Sequence, residues 1–307
     1  MERELWSVLS AAVREVDAAW VESSPRYTHG TAVVVRVHLW SALHDRPTTW
    51  ACDAGHWDAK SLRETLRGGG VSKSLPDQST VSRRKRKSDF ERFMVAVGVR
   101  LDAVGADPAA LGLIKRLDAK SLPVAAHSKD PDAAWGRGAG QQANGYKLHT
   151  FWGDTPMPAQ WAVAPLDVCE KRLARRFAQR LEGVGYVPAD AYFDASDLHD
   201  RFAAAGHQLV AERRKPGTGL GHCYQSPHRL RSIAITESPA GLNDFGAGLV
   251  AGRDQIERDY GNLTSFGGGL GPLPAWVRRI WRVRSWVHAK LLINAARILY
   301  RKRRAGA

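Results

Sequence analysis

The chain has 307 residues, 44% hydrophobic and 25% charged, enough for a sizeable core in one large domain or two modest ones. No apolar run reaches the ~18 residues of a membrane-spanning helix, and the N-terminus MERELWSVLS lacks the charged-then-apolar pattern of a secretory signal. Lys and Arg number 45 against 31 Asp and Glu, a formal charge of +14 that suits a polyanionic partner, nucleic acid first among them.

Three cysteines, Cys52, Cys169 and Cys223, stand far apart without CxxC spacing. That argues against a structural zinc site or a disulfide framework and fits a reducing cytoplasm, with a nucleoid-associated location if DNA is the partner.

The first predicted helix spans 4–20, with Leu5, Val8, Leu9, Ala12, Val13 and Val16 on one face. A second spans 31–43, although Val33-Val34-Val35 would equally suit a strand. Trp50, Trp57 and Leu62 suggest a further packed segment, and Gly68-Gly69-Gly70 a break. Over 75–101, Pro76 turns the chain and Asp77 or Ser79 can cap a helix carrying Arg83, Arg84, Lys85, Arg86 and Lys87. Phe90, Phe93, Met94 and Val97 supply an apolar face. A turn feeding a short Ser/Thr/Arg-rich helix is what a helix-turn-helix recognition element requires, and Arg83, Arg84 and Lys85 become candidate DNA contacts. The same basic run also reads as a solvated helix face. Gly105-Ala106-Asp107-Pro108 marks a boundary, giving a helical DNA-binding or dimerisation domain over 1–108 and a second domain over 109–307 that includes a basic C-terminal helix.

Past the boundary the pattern changes to strands at 112–118, 145–152 and 158–164. The first runs through Leu111, Leu113, Ile114 and Leu117 and ends on Asp118. A basic amphipathic helix covers 168–181 and stops at Gly183. Tyr186-Val187-Pro188-Ala189 forms a strand ending on Asp190. A helix over 196–205 and a fifth strand over 207–211 complete an α/β order, three strands, helix, strand, helix, strand, that of an RNase H-like mixed sheet flanked by helices. Residues 212–250 are Gly/Pro-rich and basic, with Arg213 a candidate phosphate contact. A helix over 254–264 carries Arg253, Glu257 and Tyr260 on one face. The tail from Trp276 to Arg304 is helical, and its terminal basic cluster is either a solvated end or a DNA contact.

In such a sheet the first and fourth strands are neighbours. Asp118 and Asp190 would meet at one edge, with Glu257 facing them. Each also has a bland reading: a turn-capping Asp for the first, and an intrahelical Arg253–Glu257 pair for the last. Asp194 and Asp197 compete with Asp190; Asp194 suits a helix cap. Lys147 and His149 share a strand face that is either solvated or turned toward phosphate.

Together these segments resemble the DDE transposases of bacterial insertion sequences. The resemblance rests on Asp118-Ala119-Lys120 with Leu122-Pro123-Val124, on Gly145-Tyr146-Lys147-Leu148-His149, on Ala189-Asp190-Ala191-Tyr192-Phe193-Asp194, and on Arg253-Asp254-Gln255-Ile256-Glu257-Arg258. Leu75–Arg84 is similar to the Ser/Thr-rich N-terminal segment of such proteins. Val250 and Thr264 depart from the family, which often has Tyr and Lys there. The short gap between Asp190 and Glu257 leaves little room for the family's β-insertion; Trp276, Trp281 and Trp286 would be the nearest candidates for a base-flipping indole.

The resemblance implies metal-dependent DNA cleavage and strand transfer at insertion-sequence ends. Asp118, Asp190 and Glu257 would be the catalytic ligands of two Mg²⁺ or Mn²⁺ ions. Lys147, Arg213 and Arg253 would join the N-terminal cations on DNA. The partners would be double-stranded DNA, as transposon end and as target, and a second copy of the chain in a homodimer, with no membrane. A catalytically silent DNA-binding descendant and an RNase H-like nuclease without strand transfer are the alternatives.

Overall fold

A computed structural model describes residues 2–67, 73–106, 112–125, 127–138, 140–220, 223–237 and 243–305. The glycine break at 68–70, Asp107-Pro108 and Leu111 lie outside the described residues, as does the Val250 side chain. In chain order the elements are α1 (Glu2–Ala18), α2 (Thr31–Leu43), α3 (Thr48–Ala51), α4 (Ala59–Leu66), α5 (Gln78–Arg84) and α6 (Ser88–Gly105). Then follow β1 (Arg116–Pro123), β2 (Ala134–Gly138), β3 (Gln141–Trp152), β4 (Gln160–Pro165), α7 (Glu170–Ala178), β5 (Gly185–Ala189), α8 (Ser196–Ala204) and β6 (His207–Ala211). The chain closes with α9 (Pro227–Glu237), α10 (Asn243–Thr264) and α11 (Ile280–Ala305). No helix among the described residues is long and apolar enough to cross a membrane.

Two compact units result: Met1–Ala106 with Asn262–Ala307, and Asp107–Gly261. The sequence assigns the C-terminal helix to the second domain; in the structure it belongs to the first unit, packed on α1, α2 and α6. The reason is burial. From Val283 to Leu299 nearly every residue of α11 is buried, His288, Lys290, Asn294 and Arg297 included, which requires helical partners on several sides.

α2 is equally immersed. All 13 of its residues are buried, so its β-branched run is helical because tertiary packing overrides local propensity. Lys290 of α11 is fully buried but satisfied, donating to the Ala42 carbonyl at 2.6 Å, to Asp45 at 2.6 Å and to the Gly268 carbonyl at 3.0 Å. Asp77 caps α5 by accepting from the Thr80 amide, and the bonds from Ser79 and Thr80 lower its pKa to about 2. The basic run expected on one helix is split, α5 ending at Arg84 and α6 starting at Ser88.

The second unit is a mixed α/β fold. β3 is its central strand, pairing antiparallel with β1, β2 and β4. β5 and β6 pair in parallel, and β5 joins β1 through a parallel bridge between Ile114 and Tyr186. Opposite residues of an antiparallel pair share a face, and faces alternate along the strand. Leu117 and Phe151 therefore share one face, and Asp118 and Thr150 the other. The first face carries the core, where Leu117 and Phe151 join Phe177 of α7, Phe202 of α8 and Leu209 of β6.

Three differences from expectation have physical causes. β1 starts at Arg116 rather than ending at Asp118, because its polar stretch Lys120-Ser121 is fully paired with β3. β2 occupies the glycine-rich segment, where a Cβ at Gly136 would lie 2.6 Å from the Leu166 carbonyl oxygen. The Gly/Pro-rich, basic stretch 212–250, given no element from the sequence, contains α9 and the first turns of α10.

Candidate active site

β1 and β5 bring Asp118 and Asp190 level. The Lys115 amide donates to the Tyr186 carbonyl at 2.9 Å, and the Tyr186 amide to the Leu113 carbonyl at 2.7 Å. Counting four residues onward from the Ile114–Tyr186 bridge reaches Asp118 within β1 and Asp190 one residue past the end of β5. The even offset puts Asp118 on the face of Ile114, and Asp190 is near enough to act on the Asp118 carboxyl. This closeness needs Gly185, whose φ is +148° and whose Cβ, if present, would lie 2.1 Å from the Leu113 carbonyl oxygen.

α10 lies across that same face. Phe245 meets Tyr186 edge-on with centroids 5.2 Å apart. Near the other end, the Tyr260 hydroxyl donates to the Asp118 carbonyl at 3.0 Å and accepts from Thr150 Oγ1 at 2.6 Å. Asp259 of α10 sits 3.4 Å from Arg116 of β1. Arg253 and Glu257 fall between these anchors. At ~100° per residue, Arg253 is displaced ~20° and Glu257 ~60° from the Tyr260 direction. Glu257 is solvent-exposed.

Burial raises the Asp118 pKa to about 6; the Ala119 amide, 2.7 Å from Oδ1, opposes this, while the Asp190 and Glu170 carboxylates push it further up and Arg253 lowers it. Asp190 begins a 3-10 turn, its carboxylate accepting from the Tyr192 amide at 2.9 Å.

Glu170 escaped sequence reasoning. It opens α7, is ion-paired with Lys147 of β3, and acts electrostatically on both Asp118 and Tyr260. The available signal was an acid in the first turn of an otherwise basic helix. The donor chemistry at this spot, carboxylate oxygens crowding one another, suits a hard divalent cation. Among the described residues, however, no three Asp, Glu, His or Cys side chains are gathered closely enough to hold a metal. Asp118 and Asp190 are brought together, and Glu257 stands on the flank of the helix above them.

Asp194 is no helix cap. It accepts two bonds from Arg229, at 2.6 and 2.7 Å, and with His199 3.7 Å away its carboxyl is held far below the usual range despite burial. Asp197 pairs with Arg175 at 2.7 Å.

The candidate DNA contacts differ in availability. Arg83 is exposed. Arg84 is buried, donating to the His29 carbonyl and to Thr31 Oγ1, both at 2.7 Å, and its guanidinium lies 3.5 Å from the Tyr27 ring centroid. Lys85 turns to His38. Arg213 is engaged by Glu237 and Lys147 by Glu170, and Arg253 acts electrostatically on Asp118. His149 is buried, and burial together with Lys147 lowers its pKa to about 3, so it is neutral at pH 7.

No protein-family model matches the chain, and no curated protein matches it. Among solved structures it is similar to the piggyBac transposase in a synaptic complex with hairpin DNA, at 9% identity and a TM-score of 0.45, over 99% of this chain and 73% of that one.

Proposed function

We propose that the chain is a DDE-type DNA transposase using Asp118, Asp190 and Glu257. The observation that carries this reading is that Asp118 of β1 and Asp190, just past β5, lie four residues beyond the same parallel bridge and act on one another, with the helix that carries Glu257 tied to the Asp118 backbone. The four-stranded sheet in which β1, β2 and β4 pair antiparallel with β3, and the parallel β5–β6 pair bridged at Tyr186 to Ile114 just before β1, agree with an RNase H-like arrangement. The +14 charge agrees with DNA, both transposon end and target, as partner. A homodimer on DNA would bring two ends together.

Asp118 and Asp190 would ligate Mg²⁺ or Mn²⁺, and Glu257 would complete the set by rotating inward from its exposed position. When bound, two such ions activate water and stabilise the leaving oxygen in an in-line displacement at phosphorus. Arg253 offsets the negative charge of Asp118, and Lys147 that of Glu170. Tyr260 fixes α10 to the β1 backbone, setting where Glu257 can reach. In the cleavage step a water oxygen bonds to phosphorus as the P–O3′ bond breaks, the water proton passes to solvent and the 3′ oxygen takes one up. That 3′-OH then attacks a target phosphodiester: its oxygen bonds to phosphorus and gives up its proton as the target P–O3′ bond breaks, and the displaced 3′ oxygen takes a proton up.

A second reading, a DNA-binding descendant without turnover, is favoured by the exposure of Glu257. The test is Mg²⁺- or Mn²⁺-dependent nicking of plasmid DNA bearing the sequences that flank the coding region. Nicking and strand-transfer products that disappear in Asp118→Ala, Asp190→Ala and Glu257→Ala, with DNA binding retained, support the transposase. Intact wild-type binding without any nicking supports the silent descendant.

A further inference from the structure

The helical unit holds a cavity of about 280 Å³ whose lining residues all come from that unit. Part of its wall is flat and apolar, built from the indoles of Trp276, Trp281 and Trp286 with Val277. Trp276 leaves 43% of its surface exposed, so this wall reaches the solvent. Lys85 and Arg282 also line the cavity, and no Asp or Glu stands among its described lining residues.

Lys85 meets none of the groups that keep an amine charged. Its Nζ lies 3.0 Å from Nδ1 of His38, on α2. His38 Nε2 donates to the Ser285 carbonyl at 3.0 Å, so Nδ1 carries no proton and accepts from Lys85. Burial, together with Lys85, His288 and Lys290, holds the His38 pKa well below its ordinary value, so the imidazole supplies no counter-charge. Arg282, on α11, adds a like charge. Burial first, and then Arg282, lower the Lys85 pKa from 10.5 to about 7. A neutral amine that donates one N–H to His38 keeps its lone pair, whereas an ammonium has none to offer. At pH 7 the neutral share is ~10³ times that of an ordinary lysine. Desolvation beside a second cation is a recognised route to a nucleophilic lysine.

We propose that this cavity takes a small aromatic aldehyde and that Lys85 captures it as an imine. The indole wall covers the flat ring, and the volume suits a single ring with its substituents. The Lys85 nitrogen bonds to the carbonyl carbon as the C=O π pair moves to oxygen, which takes up the proton that nitrogen sheds. The resulting carbinolamine loses its hydroxyl, with a second nitrogen proton, as water, and the nitrogen pair closes the C=N bond. No oxidant or reductant is consumed. His38 is a positioning residue, since its acceptor at Nδ1 fixes one N–H and thereby the direction of the lone pair. Thr48 and Thr49 bring hydroxyls to the wall for polar ring substituents. The site draws on none of the carboxylates, so it stands or falls apart from the transposase reading.

The experiment incubates the full chain with benzaldehyde or propanal and sodium cyanoborohydride, whose hydride reduces an imine to a stable secondary amine. Peptide mass spectrometry then locates and times the labelling. At pH 7 Lys85 should gain the benzyl group at least about 10-fold faster than any other lysine, well inside its advantage in neutral amine. Its rate should level off above pH ~7, while exposed lysines speed up to pH ~10. Trp276→Ala should slow benzaldehyde at Lys85 about 5-fold and leave propanal unchanged, and the exposure of Trp276 makes a folding defect unexpected. Lys85→Arg, checked for native circular dichroism, should reduce benzyl uptake at pH 7 to the background of the remaining amines. Labelling of Lys85 no faster than that of other lysines, a rate that keeps rising to pH ~10, or a Trp276→Ala variant that treats the two aldehydes alike overturns the proposal.

Discussion

Replacing Asp118 with asparagine is expected to make the α/β unit more stable at alkaline pH, the opposite of the usual outcome for a half-buried polar residue. Oδ1 of asparagine can keep the bond from the Ala119 amide, so the change removes chiefly a negative charge. Folding raises the Asp118 pKa from 3.8 to about 6, chiefly through burial and then through Asp190 and Glu170. A raised carboxyl pKa means that the folded chain binds the proton more tightly than the unfolded chain. Stability attached to this group is therefore intact below pH ~4, falls as pH rises toward ~6, and stays low above that. About two pKa units correspond to a ceiling of ~3 kcal/mol, lowered by whatever water reaches the side chain. Urea unfolding at pH 4, 6 and 8 in EDTA should show no advantage for Asp118→Asn at pH 4 and up to ~3 kcal/mol at pH 8. Adding Mg²⁺ at 100 times its dissociation constant should return about 2.7 kcal/mol to the wild type and little to the variant. A gap that does not vary with pH, or a wild type more stable than the variant at pH 8 without metal, would refute the account of crowded carboxylates.

Asp190→Asn should lower the titration midpoint of Asp118 from about 6 toward the ordinary carboxyl range, followed by carboxyl-carbon NMR; an unmoved midpoint would show that the two groups do not interact. Gly185→Ala should cost about 3 kcal/mol or more in denaturant unfolding, because its Cβ would lie 2.1 Å from the Leu113 carbonyl oxygen; near-wild-type stability would mean that β5 can leave β1 freely. Tyr260→Phe should cost ~1–3 kcal/mol, since it strips a partner from fully buried Thr150 and from the Asp118 carbonyl. A loss below a few tenths would mean that α10 is held by its apolar side chains alone.

The elements with strong local patterns were readable in advance. β6 occupies the expected residues and β5 differs by one position at each end, because Gly183, Gly185 and Gly206 punctuate short apolar runs; α2 also lies where expected, although its Val33-Val34-Val35 run suited a strand as well. β1 was misjudged because its second half spends polar residues on sheet pairing: Lys120 lies 5.8 Å from the Tyr260 ring and Ser121 sits opposite Lys147. β2 was hidden by the glycines its close approach to Leu166 requires. At the site, the nearness of Asp118 and Asp190 was expected from the RNase H-like order of elements rather than from periodicity, which marks strands but not their neighbours. Glu170 was not legible, since its position depends on how α7 meets β3 rather than on any spacing along the chain. Arg84 misled for a related reason: composition marks it as a surface cation, yet Thr31, Glu22 and Tyr27 surround it.

The split origin of the helical unit bears on how the chain is made. Ribosomes release α1 to α6 long before α11, whose buried residues complete their core. Until then the part of α2 that α11 covers stays open, inviting aggregation or chaperone capture, while the strands that follow can already condense on their own. Truncation just after the carboxylate-bearing helix would thus damage the beginning of the protein more than its middle.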